Sequence, residues 1–133
     1  MRRVVVDTGA WIEFFTGSRS GEKLMNLIKG VDVYVPALVV AEIFYVLCRR
    51  VGEERALEIV KAFIGSNVKV VSGVDLFVEA GRVKCKVPIA LADCSVLALA
   101  SMVNGRAVFW RREKEIKEAE EKGRITVKVE YLE

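Results

Sequence analysis

The stretch Val4-Val5-Val6-Asp7 constrains the fold of this chain more than any other part of the sequence. Three consecutive valines that are followed by a turn are typical of a short strand buried on both faces, as strands of parallel sheets are. The acid stands where this strand ends, and open α/β sheets bind ligands at that carboxyl edge. Asp7 is equally suited to cap a helix that begins near Ala10, so two roles stay open for it.

Strand and helix patterns alternate along the rest of the chain. The apolar segments 37–51 and 89–103 predict two buried helices, the first buried on several sides. The alternation predicts one domain over residues 1–133, a three-layer α/β/α sandwich with a central, mainly parallel five-stranded sheet. The predicted strands are 4–6, 31–35, 68–71, 107–110 and 125–129, and the predicted helices are 10–15, a helix capped by Ser20 and stopped by Gly30, 37–51, 53–64, 74–84, 89–103 and 112–121.

Composition restricts the chemistry that such a domain can perform. The 133 residues include no histidine, which excludes imidazole acid–base catalysis, a Ser-His-Asp triad and His-ligated zinc. The net charge of +3 is too small to indicate nucleic-acid binding over the whole surface. Arginines do cluster locally, at 2–3, 49–50, 106 and 111–112.

Other features of the sequence bear on its compartment. No apolar run reaches the ~20 residues of a membrane span, and the N-terminus enters a strand directly, without a signal-peptide pattern. Cys48, Cys85 and Cys94 are odd in number and lie in apolar helical patterns, so we expect buried thiols and no disulfide or metal site. These features favour a cytoplasmic protein that does not bind membranes.

Three acids stand in otherwise apolar segments, namely Asp7, Glu42 and Asp93. Buried carboxylates are costly unless they are paired or bound to a cation, and no lysine or arginine lies within a helical turn of Glu42 or Asp93. A divalent cation shared at the carboxyl edge of the sheet would satisfy all three, and oxygen-only ligation favours Mg²⁺ or Mn²⁺. Three separate polar contacts are the alternative.

The segments that carry these acids resemble the three motifs of PIN-domain proteins. They read Val-Val-Asp7-Thr8, Pro-Ala-Leu-Val-Val-Ala-Glu42 and Leu-Ala-Asp93-Cys-Ser-Val-Leu-Ala-Leu-Ala, and the chain is most similar to small toxins of the VapC type over essentially its whole length. The resemblance implies a Mg²⁺- or Mn²⁺-dependent endoribonuclease whose metal ligands are Asp7, Glu42 and Asp93, with Thr8 helping to orient them. It also implies a homodimer and inhibition by a small antitoxin protein with its own DNA-binding segment.

The chain departs from the family at a fourth acid, which usually follows the fourth strand within Thr-x-Asp. The stretch Phe109-Trp110-Arg111-Arg112-Glu113-Lys114-Glu115 contains neither Asp nor Thr. Glu113 is the best substitute because it falls just past the strand, in the first turn of the next helix, where a Glu also simply offsets the helix dipole. Glu115 is the other candidate. Without a fourth acid, a second metal ion would be held weakly or only by substrate.

The expected reaction is hydrolysis of a phosphodiester bond of RNA. A cation at the acids would activate water for in-line attack, although the motifs alone do not separate RNA from DNA. The catalytic residues predicted in this way are Asp7, Glu42, Asp93 and Glu113.

Arginines and tryptophans near the strand ends are candidates for substrate contacts. The arginines are either phosphate ligands or solvated charges at helix ends. Trp11 and Trp110 either stack on bases or pack in the core or a dimer interface. The arginine candidates are Arg111, Arg112 and either Arg49 or Arg50.

Two other function classes share part of this pattern. Enzymes with an aspartyl-phosphate intermediate also place an acid after the first strand, but those of the haloacid-dehalogenase kind need a second acid two positions later, where this chain has Gly9. A degenerate PIN-like module that binds RNA or a protein without catalysis is the second alternative, and the irregular fourth position favours it.

Overall fold

The computed structural model describes residues 2–133, which form five strands and seven helices. The strands are β1 (Arg3–Val6), β2 (Asp32–Pro36), β3 (Lys69–Val71), β4 (Arg106–Phe109) and β5 (Val129–Tyr131). The helices are α1 (Thr8–Thr16), α2 (Arg19–Leu27), α3 (Ala37–Val51), α4 (Glu53–Ile64), α5 (Val74–Lys86), α6 (Leu91–Met102) and α7 (Lys114–Glu121).

The strands form one sheet in the order β3-β2-β1-β4-β5, and every neighbouring pair is parallel. The valines of β1 are completely buried at the centre of this sheet, because strands flank them on both sides and helices cover both faces. The predicted three-layer α/β/α sandwich with a five-stranded sheet is confirmed, and the sheet is parallel throughout.

Helix packing brings the ends of several elements to one edge of the sheet. The apolar helix α6 packs on β1, β2 and β4 and is itself covered by α5, while α1 packs on α2, α3 and β4. In a parallel sheet all carboxyl ends share one edge, so the residues that follow β1 and β4 lie close to the first turns of α1 and α7.

The predicted N-cap of α2 is wrong, whereas its end agrees with the structure to within two residues. Ser18 caps the helix in place of Ser20, since the Gly21 N–H donates to the Ser18 hydroxyl at 3.1 Å. The helix ends at Leu27, and Gly30, with φ of +69°, lies in the turn that follows rather than directly at the helix end.

The last predicted strand is also wrong in its position. Strand β5 is Val129–Tyr131, not 125–129, because these three residues pair with 107–109 of β4. Strand β4 ends at Phe109, so Trp110 lies beyond it, and α7 begins at Lys114 with Glu113 in the N-cap position. The other predicted elements agree with the structure to within two residues at each end.

Helix α3 is less buried than its composition predicts. Only Val39, Ile43 and Leu47 are buried, along a single stripe, whereas Tyr45 is 57% exposed and Val51 is 49% exposed. Helix α3 contacts α1, α4, α6 and β2, so several of its sides are covered, but the side that carries Tyr45 and Val51 stays exposed in the single chain.

The three cysteines differ in their surroundings, and all are free thiols. Cys94 is buried in α6, Cys48 is half-buried, and Cys85 is exposed near the end of α5. Burial is thus wrong for Cys85, because its side of α5 faces solvent.

Within residues 2–133, a helix long and apolar enough to cross a membrane by itself is not found. Helices α5 and α6 pass this test only as a pair, by length and composition, and they are bent by 112° at the break between them.

Candidate active site

The four acids predicted from the sequence line one pocket of about 330 Å³. Asp7 follows β1, Glu42 lies in the second turn of α3, Asp93 lies in the first turn of α6, and Glu113 precedes α7. Four separate elements thus bring their carboxylates to the carboxyl edge of the sheet. Residues that are far apart in the sequence therefore lie close together in the fold.

The position of Asp7 is compatible with both of the roles that the sequence leaves open. The Ala10 N–H donates to its Oδ1 at 2.8 Å, so the carboxylate caps α1. The same side chain lines the pocket, and burial raises the pKa of Asp7 to about 8, with Asp93 and Glu113 adding to the rise. Hydrogen bonds from the backbone N–H groups of Ala10 and Trp110 oppose this rise but do not cancel it.

Asp93 responds to the other acids of the pocket. Burial, with smaller contributions from the negative charges of Glu42 and Glu113, raises the pKa of Asp93 to about 7. A perturbed carboxyl group in a cleft is a frequent mark of a functional site. The pocket therefore holds more negative charge than its surroundings neutralise.

Thr8 contributes a buried hydroxyl to the wall of the same pocket. The residue is 5% exposed, and its Oγ1 has no hydrogen-bond partner among residues 2–133. A buried hydroxyl without a partner is costly, so this atom is suited to contact a ligand or an ordered water in the pocket.

The pocket offers only oxygen ligands to a metal ion. Carboxylate and hydroxyl oxygens are the ligands that Mg²⁺ and Mn²⁺ prefer, so the chemistry of the residues fits a hard divalent cation. In the side-chain positions of residues 2–133, however, no group of three or more His, Cys, Asp and Glu is arranged so that it could hold a metal ion. Ionised carboxylates repel one another, so a cation would have to draw these side chains together.

Two arginines line the acidic pocket, Arg50 at the end of α3 and Arg111 after β4. The Arg111 guanidinium lies 4.2 Å from the centre of the Trp110 ring, which also lines the pocket. The Trp110 ring is placed there by a close approach to Gly9, whose missing Cβ would lie 3.4 Å from the ring.

The remaining candidates lie elsewhere. Arg112 forms an ion pair with Glu120 at 3.4 Å and does not line the pocket, and Glu115 is exposed on α7. Arg49 donates to the Tyr45 hydroxyl at 2.7 Å. Trp11 is a core residue, as one of its two predicted roles requires.

Sequence reasoning missed two contributors to the site. Glu13 lines the pocket. It lies four residues after Gly9 on α1, and this helical spacing places both residues on the face of α1 that follows Asp7. The Trp110 N–H, which donates to the Asp7 carboxylate, had no signal, because a backbone group is the same at every position.

Comparisons with known proteins agree with this architecture. The family model of the PIN domain matches residues 4–122. No curated protein matches the chain significantly.

Several solved structures share the fold at low sequence identity. VapBC2 from Rickettsia felis, bound to a DNA fragment from its promoter, has a TM-score of 0.70 at 14% identity. The match covers 97% of this chain and 98% of the matched VapBC2 chain. DNA-bound VapBC from Salmonella typhimurium has a TM-score of 0.70 at 16% identity, covering 99% of both chains. VapC20 from Mycobacterium tuberculosis, a toxin that cleaves the Sarcin-Ricin loop, has a TM-score of 0.70 at 20% identity and covers 87% of this chain and 94% of its own.

Proposed function

The chain belongs to the PIN-domain family, and from this premise we propose that it is a metal-dependent endoribonuclease that hydrolyses phosphodiester bonds of RNA. The observation that carries this proposal is the single pocket lined by Asp7, Glu42, Asp93 and Glu113, in which burial and mutual repulsion raise the pKa of both aspartates. Such an excess of carboxylates is suited to bind a divalent cation.

Each acid has a role in this proposal. Asp7, Glu42 and Asp93 hold Mg²⁺ or Mn²⁺, Glu113 completes the set from the N-cap of α7, and the unpartnered Thr8 hydroxyl orients the ligands. A bound cation supplies activation of water and stabilisation of the leaving oxygen. Because the raised pKa values keep protons on Asp7 and Asp93, metal binding releases protons and weakens below about pH 7.

Arginines at the pocket mouth are proposed to bind the substrate. The Arg111 guanidinium lies over the Trp110 ring, a contact that favours this position near the pocket, and its N–H groups are suited to bind phosphate oxygens. Arg112, the second predicted contact, would reach RNA only by leaving Glu120 and the Tyr131 ring, over which its guanidinium lies at 4.6 Å.

The test is cleavage of RNA by the purified chain with Mg²⁺ or Mn²⁺, and its loss in EDTA. Asp93→Asn is expected to abolish cleavage while the circular dichroism spectrum stays unchanged. Asp75→Asn, an exposed acid in the first turn of α5, is the matched control and is expected to cut at the parent rate. Equal cleavage by Asp93→Asn and the parent would rule out the assigned site.

A degenerate module that binds RNA or a protein without catalysis is the second candidate. Two observations favour it: residues 2–133 contain no group arranged so that it could hold a metal ion, and the family's fourth acid is replaced here by Glu113 or lost. Such a module would bind RNA equally with or without metal and yield no products. The cleavage assay therefore separates the two candidates.

We also propose that the chain is the toxin of a cytoplasmic toxin–antitoxin pair. The full-length fold likeness to VapBC proteins supports this role, with a small DNA-binding antitoxin as partner. Expression of the chain alone should arrest growth, and expression with its antitoxin should not.

A homodimer is supported by exposed apolar side chains on α3 and α5. Tyr45 is 57% exposed, and Val74, Phe77 and Val78 form an exposed apolar patch at helical spacing. Sedimentation equilibrium at micromolar concentration should give twice the mass of the chain, and a monomer mass would contradict the dimer.

A further inference from the structure

Helix α3 gives the acidic pocket a long axis. Glu42, Val46 and Arg50 all line the pocket and follow one another at intervals of four residues, so they share one face of the helix. At 1.5 Å per residue, the Cα atoms of Glu42 and Arg50 lie about 12 Å apart along the helix axis. The pocket therefore extends from its carboxylates to a cationic end about two helical turns away.

At the cationic end of the pocket, Arg50 is exposed and has no charged or hydrogen-bonded side-chain partner within residues 2–133. Five acids line the same pocket, yet within residues 2–133 Arg50 forms no ion pair and no side-chain hydrogen bond. Its neighbour Arg49 differs in both respects, since it donates to the Tyr45 hydroxyl and lies over that ring at 5.6 Å. Two adjacent arginines thus differ, because Arg50 lines the pocket and Arg49 does not.

We propose that Arg50 binds a backbone phosphate adjacent to the one that is cut, so that the site selects a polynucleotide strand over an isolated phosphodiester. This inference rests on the proposed nuclease function and assigns one substrate contact within it. A guanidinium suits this task because it offers paired N–H donors to phosphate oxygens. A phosphate contact does not depend on which base is attached, so Arg50 contributes affinity without sequence preference.

The first test compares Arg50→Gln with Arg49→Gln, which remove the same charge from adjacent positions. Binding of a single-stranded RNA oligonucleotide is measured by fluorescence anisotropy in the cleavage-inactive Asp93→Asn background at several salt concentrations. Loss of one phosphate contact should lower the slope of log K against log salt by about 0.7 in Arg50→Gln. Arg49→Gln should keep the parent slope, and Arg50→Lys should largely restore it.

The second test compares substrates of different length with the active chain. For an RNA oligonucleotide, Arg50→Gln should lower kcat/KM by about two- to fivefold, the range of an exposed ionic contact. For bis(p-nitrophenyl) phosphate, which has one phosphodiester group and no neighbouring phosphate, the same variant should lose clearly less activity than it loses on RNA.

Three outcomes decide the matter. Equal salt slopes for Arg50→Gln and Arg49→Gln overturn the inference, and so does an equal loss of activity on the short and long substrates. A parent chain that cuts nothing but binds RNA with the Arg50-dependent slope overturns the nuclease function and still supports the phosphate contact. The two failures are therefore distinguishable.

Discussion

Two cavities lie on opposite faces of α1, and they differ in size and in chemistry. The larger, of about 710 Å³, lies near the amino ends of β2 and β3 and is lined mainly by apolar groups such as Trp11, Phe14 and Phe63. The smaller, of about 330 Å³, lies at the carboxyl ends of β1 and β4, and residues 8, 9, 12 and 13 of α1 belong to its wall. One helix thus separates an apolar cavity from an acidic one.

The difference shows that volume does not identify the functional site in this molecule. The acid of the larger cavity, Asp32, is neutralised by Lys69 at 3.3 Å. The acids of the smaller pocket have no such partner in residues 2–133, and two of them have strongly raised pKa values. Uncompensated charge, which folding alone would not favour, therefore marks the smaller pocket.

The largest effect should come from the apolar side of α1. Trp11 is 1% exposed and packs edge-on against Phe63, so Trp11→Ala is expected to lower the free energy of unfolding by about 3–5 kcal/mol. Trp11→Phe should cost much less, because the indole N–H has no partner in residues 2–133 to lose. Urea denaturation measures both variants, and a loss below about 1 kcal/mol for Trp11→Ala would refute the core assignment.

The next effect should separate the two cavities by activity. Asp7→Asn can still cap α1, because Asn is as good an N-cap as Asp, but it removes an ionisable carboxyl group from the pocket. Cleavage of RNA should fall at least about 100-fold, equivalent to about 2.7 kcal/mol. Asp32→Asn, the matched change in the apolar cavity, should leave the cleavage rate unchanged. Similar losses of cleavage for both variants would show that the acidic pocket is no more important for activity than the apolar cavity.

A further effect is expected on the pH dependence of stability in EDTA. The folded chain holds the protons of Asp7 and Asp93 more tightly than the unfolded chain, because folding raises their pKa from 3.8 to about 8 and about 7. Stability is therefore highest near pH 4 and decreases as pH rises toward 8, where the folded chain must give up these protons. Thermal denaturation measured by circular dichroism should give a lower Tm at the higher pH.

The matched variants refine this prediction. Asp93→Asn should flatten the Tm profile between pH 4 and pH 7, whereas Asp32→Asn should keep its shape. Added Mn²⁺ should raise the Tm most at the high-pH end, where the carboxylates are ionised. If the Tm of the parent chain does not change with pH, folding does not raise the pKa values of these acids, and the prediction is wrong.

The smallest effect should lie within the acidic pocket itself. Glu113 lines the pocket and Glu115 does not, although both flank the start of α7. Glu113→Gln should weaken Mn²⁺ binding about five- to tenfold, as a shift in a Tm titration, and Glu115→Gln should not. Equal binding by Glu113→Gln and the parent would leave three acids as the complete ligand set.

The sequence predicted the acids better than it predicted the elements around them. Asp7, Glu42 and Asp93 were identified because a lone carboxylate in an apolar run has a recognisable cost, and each does line the pocket. The cap of α2 was assigned to Ser20 when Ser18 was equally compatible with the pattern. The run 125–129 has strand composition, but β4 pairs with Val129–Tyr131, and composition carries no information on register.

Other features were outside the reach of any local pattern. Helical spacing places Arg50 on the same face of α3 as Glu42, but only the packing of α3 decides that this face lines a pocket. The exposure of Tyr45 and Cys85 likewise follows from which helix faces have a neighbour in the folded chain.

The sequence by itself determined the parallel α/β architecture, the absence of imidazole chemistry and the identity of the acids, because periodicity and burial cost are local properties of the chain. The tertiary structure alone decided that residues as distant as Asp7 and Glu113 share one pocket, and that the Trp110 N–H and the Arg50 side chain belong to it. The physical reason is that charge repulsion and desolvation act through space, and the distances on which they depend exist only after the strands have paired.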